Sequence, residues 1–394
     1  MSSSNSDKSK RGNSLQRVLS YLFELCKSID YIEDFKDNYS IGKPGYSDSN
    51  QFKAPYLITF EDGTEWIVYT TTSFRSDRIK GQYWDALNIK QLNHNVKDAY
   101  LVYPDSLAAN DKHDFEIRDS KIHTNGEFAT IDALLSQDSF FNRIEQYALS
   151  SLTPNQQRDR KGNNFEKRVS ATLSNPCNLD KWVTQDPMLE GLHYHLFEQI
   201  VTAFNLDRTK VKNIYSTCDK KEIGLLPSGG PVKTDVLTKI IYTDNTTEYF
   251  TISCKRSSNK SVSIHQYTAD KFADVLDINN SELRRTLNEF QRCGNKSGMT
   301  EQDIQILQTE LQPHLMELCQ WALGGIGGDG NPGTQWARYI LVYDNNVEDI
   351  IIHTIDDYCC KLLQDSNRTF NTPFSWTYQG TRGTNIQLKC PINL

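Results

Sequence analysis

The spacing of hydrophobic residues in the first part of the chain predicts a helix, a hairpin, a second helix and a strand, in that order. Apolar residues recur at helical spacing over 15–25 and again around 84–90. Two apolar runs, 56–60 and 65–69, flank a short turn that contains Asp-Gly, which is typical of a β-hairpin. The run over 99–103 predicts a further strand, so these elements together indicate an α/β fold.

The same order of elements returns in the second half of the chain. The residues that open a helix at Lys161 match those that open the first helix at Arg11. Two apolar runs, 236–242 and 249–253, joined by a polar turn, predict a second hairpin, and a strand follows over 339–343. These matches in one order indicate a duplicated fold, although such patterns are common enough to match by coincidence.

The length of 394 residues is compatible with two domains of ordinary size, each able to bury a core. We expect residues 1–10, which are polar and rich in serine, to form a disordered tail. A first domain is expected over 11–150 and a second over 151–394. The polar segment 149–162, which contains Pro154, is the expected linker.

The composition indicates a protein of a reducing compartment. Nine cysteines are scattered without a Cys-X-X-Cys pair, so neither a disulfide framework nor a zinc site is predicted. Because the amino terminus does not resemble a signal peptide and no apolar run is long enough to span a bilayer, we expect a cytoplasmic protein with no membrane partner. A net charge of −7 still permits local basic patches that bind nucleic acid.

The hairpin of the second half carries the candidate chemistry. Pairing of its strands brings Asp235, at the start of one, close to Ser253 and Lys255, which share a face at the end of the other. Asp235 and the backbone carbonyl of Cys254 can bind a divalent metal, and Lys255 can orient or activate a water molecule. This arrangement suits phosphodiester hydrolysis, although a hairpin with solvated charges would show the same spacing.

Donors that suit phosphates and base edges surround this hairpin and recur near the carboxyl end. Gln387 and Lys389 alternate onto one face of a predicted terminal strand, and such side chains favour adenine and guanine in the major groove. An edge strand with solvated polar residues is the alternative. The donors expected to contact DNA after Lys255 are Ser257, Ser263, His265 and Gln266.

The hairpin residues resemble the PD-(D/E)xK nuclease core, with Asp235 as the first acid, Ser253 where the second acid usually stands and Lys255 as the lysine. Within that superfamily the chain resembles the MspI group of type II restriction endonucleases, which cut the DNA sequence CCGG. Three segments carry this resemblance: the glycine turn 228–230, the donor-rich segment after Lys255 and the terminal segment 372–389. The resemblance covers about residues 155–394.

This resemblance implies roles for individual residues. The family's catalytic trio falls on Asp235, Ser253 and Lys255, although the family has asparagine at the middle position. Glu166 takes the place of an acid that reaches the metal through water, and a surface glutamate without a role is the alternative. The family's base-reading positions fall on Ser263, Gln387 and Lys389, with Thr377 near the same groove. Arg382, in the terminal segment that carries the resemblance, is also expected to bind DNA.

The resemblance also implies a mixed β-sheet flanked by helices, Mg²⁺ as cofactor, double-stranded DNA as substrate and a cognate DNA methyltransferase in the same system. The enzyme would be a monomer or a homodimer that hydrolyses duplex DNA at a short specific site, with CCGG favoured. Two alternatives remain. One is a catalytically inactive DNA-binding module, which the serine at 253 favours, and the other is a modification-dependent or repair nuclease.

The first half lacks the candidate catalytic groups. When the two halves are aligned, Thr72 faces Lys255, Phe52 faces Asp235 and Gln16 faces Glu166. We therefore expect residues 11–150 to form a degenerate nuclease-like α/β domain that grips DNA.

Overall fold

The computed structural model describes residues 5–42, 51–73, 76–125, 130–257, 261–344, 349–364 and 367–391. The chain divides into two compact units: Met1–Gln157 with Ser174–Phe197, and Arg158–Leu173 with Glu198–Leu394. No helix in the described part of the chain is both long and apolar enough to cross a bilayer.

The first unit is built on a five-stranded sheet with strand order β1-β2-β3-β4-β5, counted over the described residues. The pairs β1–β2 and β2–β3 are antiparallel, and the pairs β3–β4 and β4–β5 are parallel. Its elements up to residue 148 are α1 (Asn5–Ser28), β1 (Asp34–Ile41), β2 (Phe52–Thr59), β3 (Glu65–Thr70), α2 (Ser76–Leu92), β4 (Val96–Tyr103), α3 (Ala109–Asn125), β5 (Ala133–Ser136) and α4 (Gln137–Ala148).

Helix α1 begins at Asn5, so residues 5–10, which we expected in a disordered tail, are helical. Arg11 Nε lies 3.2 Å from Oε1 of the buried Glu190, and its guanidinium donates to the Pro187 carbonyl at 2.7 Å. Lys10 forms an ion pair with Asp186. These partners lie about 176 positions away in sequence, so the local pattern could not indicate that they stabilise the first turns.

Three helices follow: α5 (Pro154–Ser174), α6 (Pro176–Thr184) and α7 (Tyr194–Ala203). Helix α5 starts inside the expected linker. The amide of Thr153 donates to Gln156 Oε1 at 3.0 Å and the amide of Gln156 donates to Thr153 Oγ1 at 3.4 Å, which forms a capping box with proline at the first helical position. Residues 154–162 are therefore helical.

The second unit contains, within its described residues, a five-stranded sheet of order β11-β10-β8-β7-β6 and a three-stranded sheet of order β12-β13-β9. Its elements are β6 (Val211–Thr217), α8 (Lys220–Ile223), β7 (Val236–Tyr242), β8 (Thr247–Ser257), β9 (Ser261–Tyr267), α9 (Ala269–Leu276), α10 (Ser281–Cys293), α11 (Glu301–Leu311), α12 (Leu315–Gly324), β10 (Tyr339–Asp344), β11 (Asp349–Thr354), α13 (Ile355–Gln364), β12 (Ser375–Thr377) and β13 (Ile386–Pro391).

Both five-stranded sheets contain the same succession of strand pairs. In the second unit, β6–β7 and β7–β8 are antiparallel and β8–β10 is parallel, as β1–β2, β2–β3 and β3–β4 are in the first. The predicted repeat of hairpin and strand is therefore present in the strand order. The sheets differ at the last pair, because β10–β11 is antiparallel whereas β4–β5 is parallel.

The core of the second unit packs its helices against the three-stranded sheet. Trp376 and Leu388 of that sheet are buried in one cluster with Phe272, Phe290 and Trp321 of the helices. The ring centroids of Phe272 and Trp321 lie 4.9 Å apart in an edge-to-face arrangement. This packing buries one face of the three-stranded sheet against the helices, and polar side chains occupy the other face.

Candidate active site

The antiparallel pairing of β7 with β8 positions Asp235. Val236 pairs with Ile252, and the amide of Asp235 donates to the Ile252 carbonyl at 2.9 Å. The carboxyl group therefore lies beside the end of β8, where successive side chains alternate between the two faces of the sheet.

Five hydrogen-bonding groups meet at this point. Asp235 Oδ2 accepts from the amide of Cys254 at 2.7 Å, from the hydroxyl of Ser253 at 3.2 Å and from Lys255 Nζ at 3.1 Å. Lys255 Nζ also donates to Ser253 Oγ and to the Cys254 carbonyl, both at 2.9 Å. The side chains of Asp235 and Lys255 keep 22% and 20% of their surface exposed, so the cluster remains open to solvent.

Lys255 is held in its charged form. Burial opposes the charge, but the attraction of Asp235 and the hydrogen bond to it outweigh burial and raise the pKa of Lys255 above its ordinary value. Lys255 is therefore an ammonium group at neutral pH. It can donate hydrogen bonds to an anion or a water molecule, and it is not a base in this arrangement.

Glu166 of α5 lines the same small cavity as Asp235, with a volume of about 40 Å³. Burial, and then repulsion from Asp235, raise the pKa of Glu166 to about 7, and the positive charges of Lys255 and Lys220 oppose this shift. Thr234 Oγ1, also in the cavity wall, is buried without a hydrogen-bond partner among the described residues. Two carboxyl groups and an unpaired oxygen thus meet in a cavity about one water molecule in size.

Cys254 differs in one respect from the expectation. Its thiol is buried, and its carbonyl, which we expected to bind a metal, already accepts the hydrogen bond from Lys255 Nζ. A carbonyl oxygen has two lone pairs, so one acceptor direction remains for a cation.

A second lysine, to which the sequence assigned no role, lies two residues before Asp235. Lys233 Nζ donates to the carbonyl of Ile264 in β9. Burial, and then repulsion from Lys255, lower the pKa of Lys233 to about 7. The signal in the sequence was a lysine placed between a glycine turn and the candidate acid, but spacing alone could not show that it is buried.

The three-stranded sheet brings together five of the expected DNA-contacting residues. Gln387 of β13 pairs with Thr377 of β12 on one side and with Gln266 of β9 on the other. Lys389 pairs with Ser263 of β9. Directly opposed residues in an antiparallel pair share a face, so these side chains form two adjacent polar rows. Ser263, Gln266 and Lys389 are exposed, whereas Gln387 is buried and donates to Gln379 Oε1 at 3.0 Å.

The other expected DNA contacts are placed elsewhere. His265 pairs with Leu388 on the opposite face of the sheet and is buried, with its ring centroid 3.9 Å from that of Trp321. His265 precedes Gln266 in the regular part of the β9–β13 pair, so alternation turns it inward, whereas the register shift between Leu388 and Lys389 brings Ser263 onto the face of Lys389. Arg382 is exposed beyond β12 and donates to the Arg292 carbonyl at 3.3 Å. The side chain of Ser257, at the end of β8, lies outside the described residues.

Comparison with known proteins places these features in a family. A model of the restriction endonuclease MspI family matches residues 143–390. The chain is 26% identical over 410 residues to the type II restriction enzyme BsuFI of Bacillus subtilis, and the match covers 99% of each chain. It is 23% identical over 240 residues to the type II restriction enzyme MspI of Moraxella sp, with 59% of this chain and 89% of that enzyme covered.

The fold is also similar to that of a solved structure. The crystal structure of restriction endonuclease MspI in complex with its cognate DNA matches with a TM-score of 0.53 and 19% sequence identity. The match covers 64% of this chain and 98% of the MspI chain. Because the family model spans more than half of the sequence, the chain belongs to the MspI family of restriction endonucleases and is a site-specific deoxyribonuclease.

Proposed function

We propose that this protein is a Mg²⁺-dependent type II restriction endonuclease that hydrolyses phosphodiester bonds in duplex DNA at a CCGG-like site, with Asp235, Ser253, Lys255 and Glu166 as its catalytic residues. The observation that carries the proposal is the convergence of the Asp235 carboxylate and the Lys255 ammonium, 3.1 Å apart, in a cluster open to solvent. This pairing is the one that a PD-(D/E)xK nuclease core requires.

The donor set fits a hard divalent cation. Asp235 and Glu166 repel each other in a cavity of about 40 Å³, and a divalent cation would relieve that repulsion. The described residues contain no group of three His, Cys, Asp or Glu side chains arranged for a metal. The two carboxylates and the Cys254 carbonyl would therefore hold Mg²⁺ together with water and a phosphate oxygen. Bound there, Mg²⁺ would neutralise charge that develops on the phosphate.

The chain's own groups then have separate tasks. Lys255, charged and tied to Asp235, would donate hydrogen bonds to the attacking water and to a phosphate oxygen. Ser253 would hold the lysine in position through the hydrogen bond at 2.9 Å. Asp235 would keep the lysine protonated, because its negative charge raises the pKa of that group.

The polar rows of the three-stranded sheet support a role in base recognition. Lys389 and Gln387 carry the types of side chain that bind guanine and adenine edges, and Ser263, Gln266 and Thr377 pair with them across the sheet. We propose that these rows, with Arg382 beyond β12, contact the bases and backbone of the site, and that Ser257 at the end of β8 also binds DNA. The specificity for CCGG rests on the resemblance to the family.

The first unit supports the proposal of a degenerate nuclease-like domain that grips DNA. Its sheet has the same succession of strand pairs as the second unit, yet Gln16 and Thr72 stand where Glu166 and Lys255 are expected. We further propose that the protein acts in the cytoplasm as a monomer or homodimer, and that a cognate methyltransferase protects host DNA. A nuclease that requires a modified base is the second candidate.

A plasmid digest tests the proposed activity. Wild-type protein with Mg²⁺ is expected to cut unmethylated DNA at discrete sites, whereas Lys255→Ala is expected to bind the same sites in Ca²⁺ without cutting. Lys212→Ala, which removes a lysine from β6 in the same sheet, is the matched control and should cut normally. Undiminished cutting by Lys255→Ala would remove the assignment. Cutting that occurs on methylated DNA alone would favour the modification-dependent nuclease.

A further inference from the structure

The first unit contains a cavity of about 610 Å³ at the position that corresponds to the candidate active site of the second unit. Its walls come from α1, from Pro55 of β2, from the end of β3 with the residues that follow it, and from α2. In the second unit, a helix and the same two hairpin strands supply Glu166, Asp235 and Lys255. The repeated fold has therefore kept a hollow in which the catalytic groups have been replaced.

The replacements remove negative charge from the walls. Among the described lining residues Arg78 is the charged side chain, and none of them is a carboxylate. Gln16 of α1 and Thr72 after β3 face the cavity. These described side chains offer Mg²⁺ no charged ligand, and they do not repel a phosphate.

Several donors in the walls have no hydrogen-bond partner among the described residues. They include the Arg78 guanidinium, the hydroxyls of Thr70 and Thr72, and the amide groups of Asn13 and Gln16. Side chains of these types are the ones that proteins use to contact phosphate and sugar oxygens of DNA. Arg78 forms no ion pair with an acid among the described residues, and such a guanidinium is able to bind a phosphate in a bidentate manner.

The side chains that line the cavity argue against a flipped DNA base as its ligand. A pocket for a flipped base needs aromatic or flat apolar side chains on which the base can stack, and the described residues that line this cavity include no aromatic ring. We propose that the cavity binds a phosphodiester group of the DNA backbone without cutting it, which makes the first unit a non-cleaving copy of the phosphate site. This inference rests on the proposal that the protein acts on DNA.

Binding measurements with the full-length protein test the inference. Affinity is measured in Ca²⁺ for a duplex with one CCGG site and for a duplex of equal length without it. Arg78→Ala removes the guanidinium, and Gln16→Glu places a carboxylate in the cavity with almost no change in size. Lys36→Ala is the control, since Lys36 is exposed on β1 of the same unit and does not line the cavity.

Each cavity variant is expected to bind both duplexes with about tenfold lower affinity, because a contact to a phosphate carries no sequence information. The logarithm of the binding constant falls with the logarithm of the salt concentration, and Arg78→Ala should make this slope less steep by about 1. Gln16→Ala should lose less affinity than Gln16→Glu, because it adds no charge. Lys36→Ala should bind as wild type does, and thermal unfolding should show that all variants are folded.

Wild-type affinity in both cavity variants would overturn the inference, as would a loss confined to the duplex with the site. Failure of the proposed function has a different outcome. In that case the wild-type protein would not cut DNA in Mg²⁺, whatever the cavity variants did to binding in Ca²⁺.

Discussion

The hydroxyl of Ser253 lies 2.9 Å from the ammonium group of Lys255 and accepts a hydrogen bond from it. The same hydroxyl donates to Asp235 at 3.2 Å, so it links the two residues on which the proposed mechanism depends. We therefore propose that Ser253 positions Lys255, at a place where the resemblance implies asparagine and where an acid is more usual.

Substitution of Ser253 by alanine tests this positioning role. Lys255 would keep its bonds to Asp235 and to the Cys254 carbonyl but would lose the third, so we expect the maximal cleavage rate to fall about tenfold with unchanged DNA affinity in Ca²⁺. Single-turnover kinetics would measure the rate. Ser216→Ala, which removes a buried hydroxyl from β6 of the same sheet, should cut as wild type does. An unchanged rate in Ser253→Ala would show that the serine does not position the lysine.

The raised pKa of Glu166 predicts a dependence of stability on pH in protein freed of metal. Between its ordinary pKa of 4.5 and the folded value of about 7, the folded state binds the proton more tightly than the unfolded state does. The contribution of Glu166 to the free energy of unfolding therefore falls as the pH rises through this range. We expect Glu166→Gln to be more stable than wild type at pH 8 and to differ little at pH 4.

Urea unfolding in EDTA at the two pH values would measure this difference. Adding Mg²⁺ at pH 8 should stabilise the wild-type protein but should stabilise Glu166→Gln much less, because one ligand is missing. Glu198→Gln, at an exposed position of α7, is the control and should follow the wild type throughout. Equal Mg²⁺ stabilisation of Glu166→Gln and wild type would argue that Glu166 does not help to hold the metal.

Lys389 offers a test of base recognition. If the side chain reaches a base edge, Lys389→Ala should lose about 1–3 kcal/mol of binding free energy for the specific site. It should lose much less binding free energy for unrelated DNA. Competition between the two duplexes in Ca²⁺ would measure the change. Lys361→Ala removes an equally exposed lysine of α13 and should leave the ratio of the two affinities unchanged. A parallel loss on both duplexes would mean that Lys389 contacts the phosphate backbone.

The packing of Leu388 predicts that the recognition face depends on the core behind it. Leu388 is buried between Trp376 and the helices, so Leu388→Ala should lower the free energy of unfolding by about 2–5 kcal/mol. It should also weaken specific DNA binding, because Gln387 and Lys389 flank it. Ile278→Ala, at a position with 63% of its surface exposed, should change stability by less than about 0.5 kcal/mol. Urea unfolding would compare the two.

The sequence predicted the hairpin of the candidate site closely. Strand β7 spans Val236–Tyr242 as expected, and the pairing with β8 brings Asp235 and Lys255 together. This prediction succeeded because the turn is short, so that the strand register follows from local residues. Another local cause acts at Pro313, which separates α11, ending at Leu311, from α12, beginning at Leu315.

Several features of the structure were not predicted from the sequence. The Thr-X-X-Gln pattern at Thr153, followed by proline at the first helical position, is a helix start, yet the polar composition of 149–162 favoured a linker. The face shared by Ser263 and Gln266 depends on a register shift between β9 and β13, which alternation of polar and apolar residues does not show. Contacts between strands more than 100 residues apart, such as that of Gln387 with Gln266, lie beyond any local pattern.

Cys254 has chemical surroundings that bear on how the enzyme withstands oxidants. Its neighbours in the chain face the candidate active site, but its sulfur is enclosed, and burial followed by the charges of Asp235 and Glu166 raises the thiol pKa well above the ordinary value. Since the thiolate is the form that reacts with peroxides and alkylating agents, a sulfur kept protonated is inert. Oxidants and alkylating agents should therefore leave Cys254 unmodified in the folded protein.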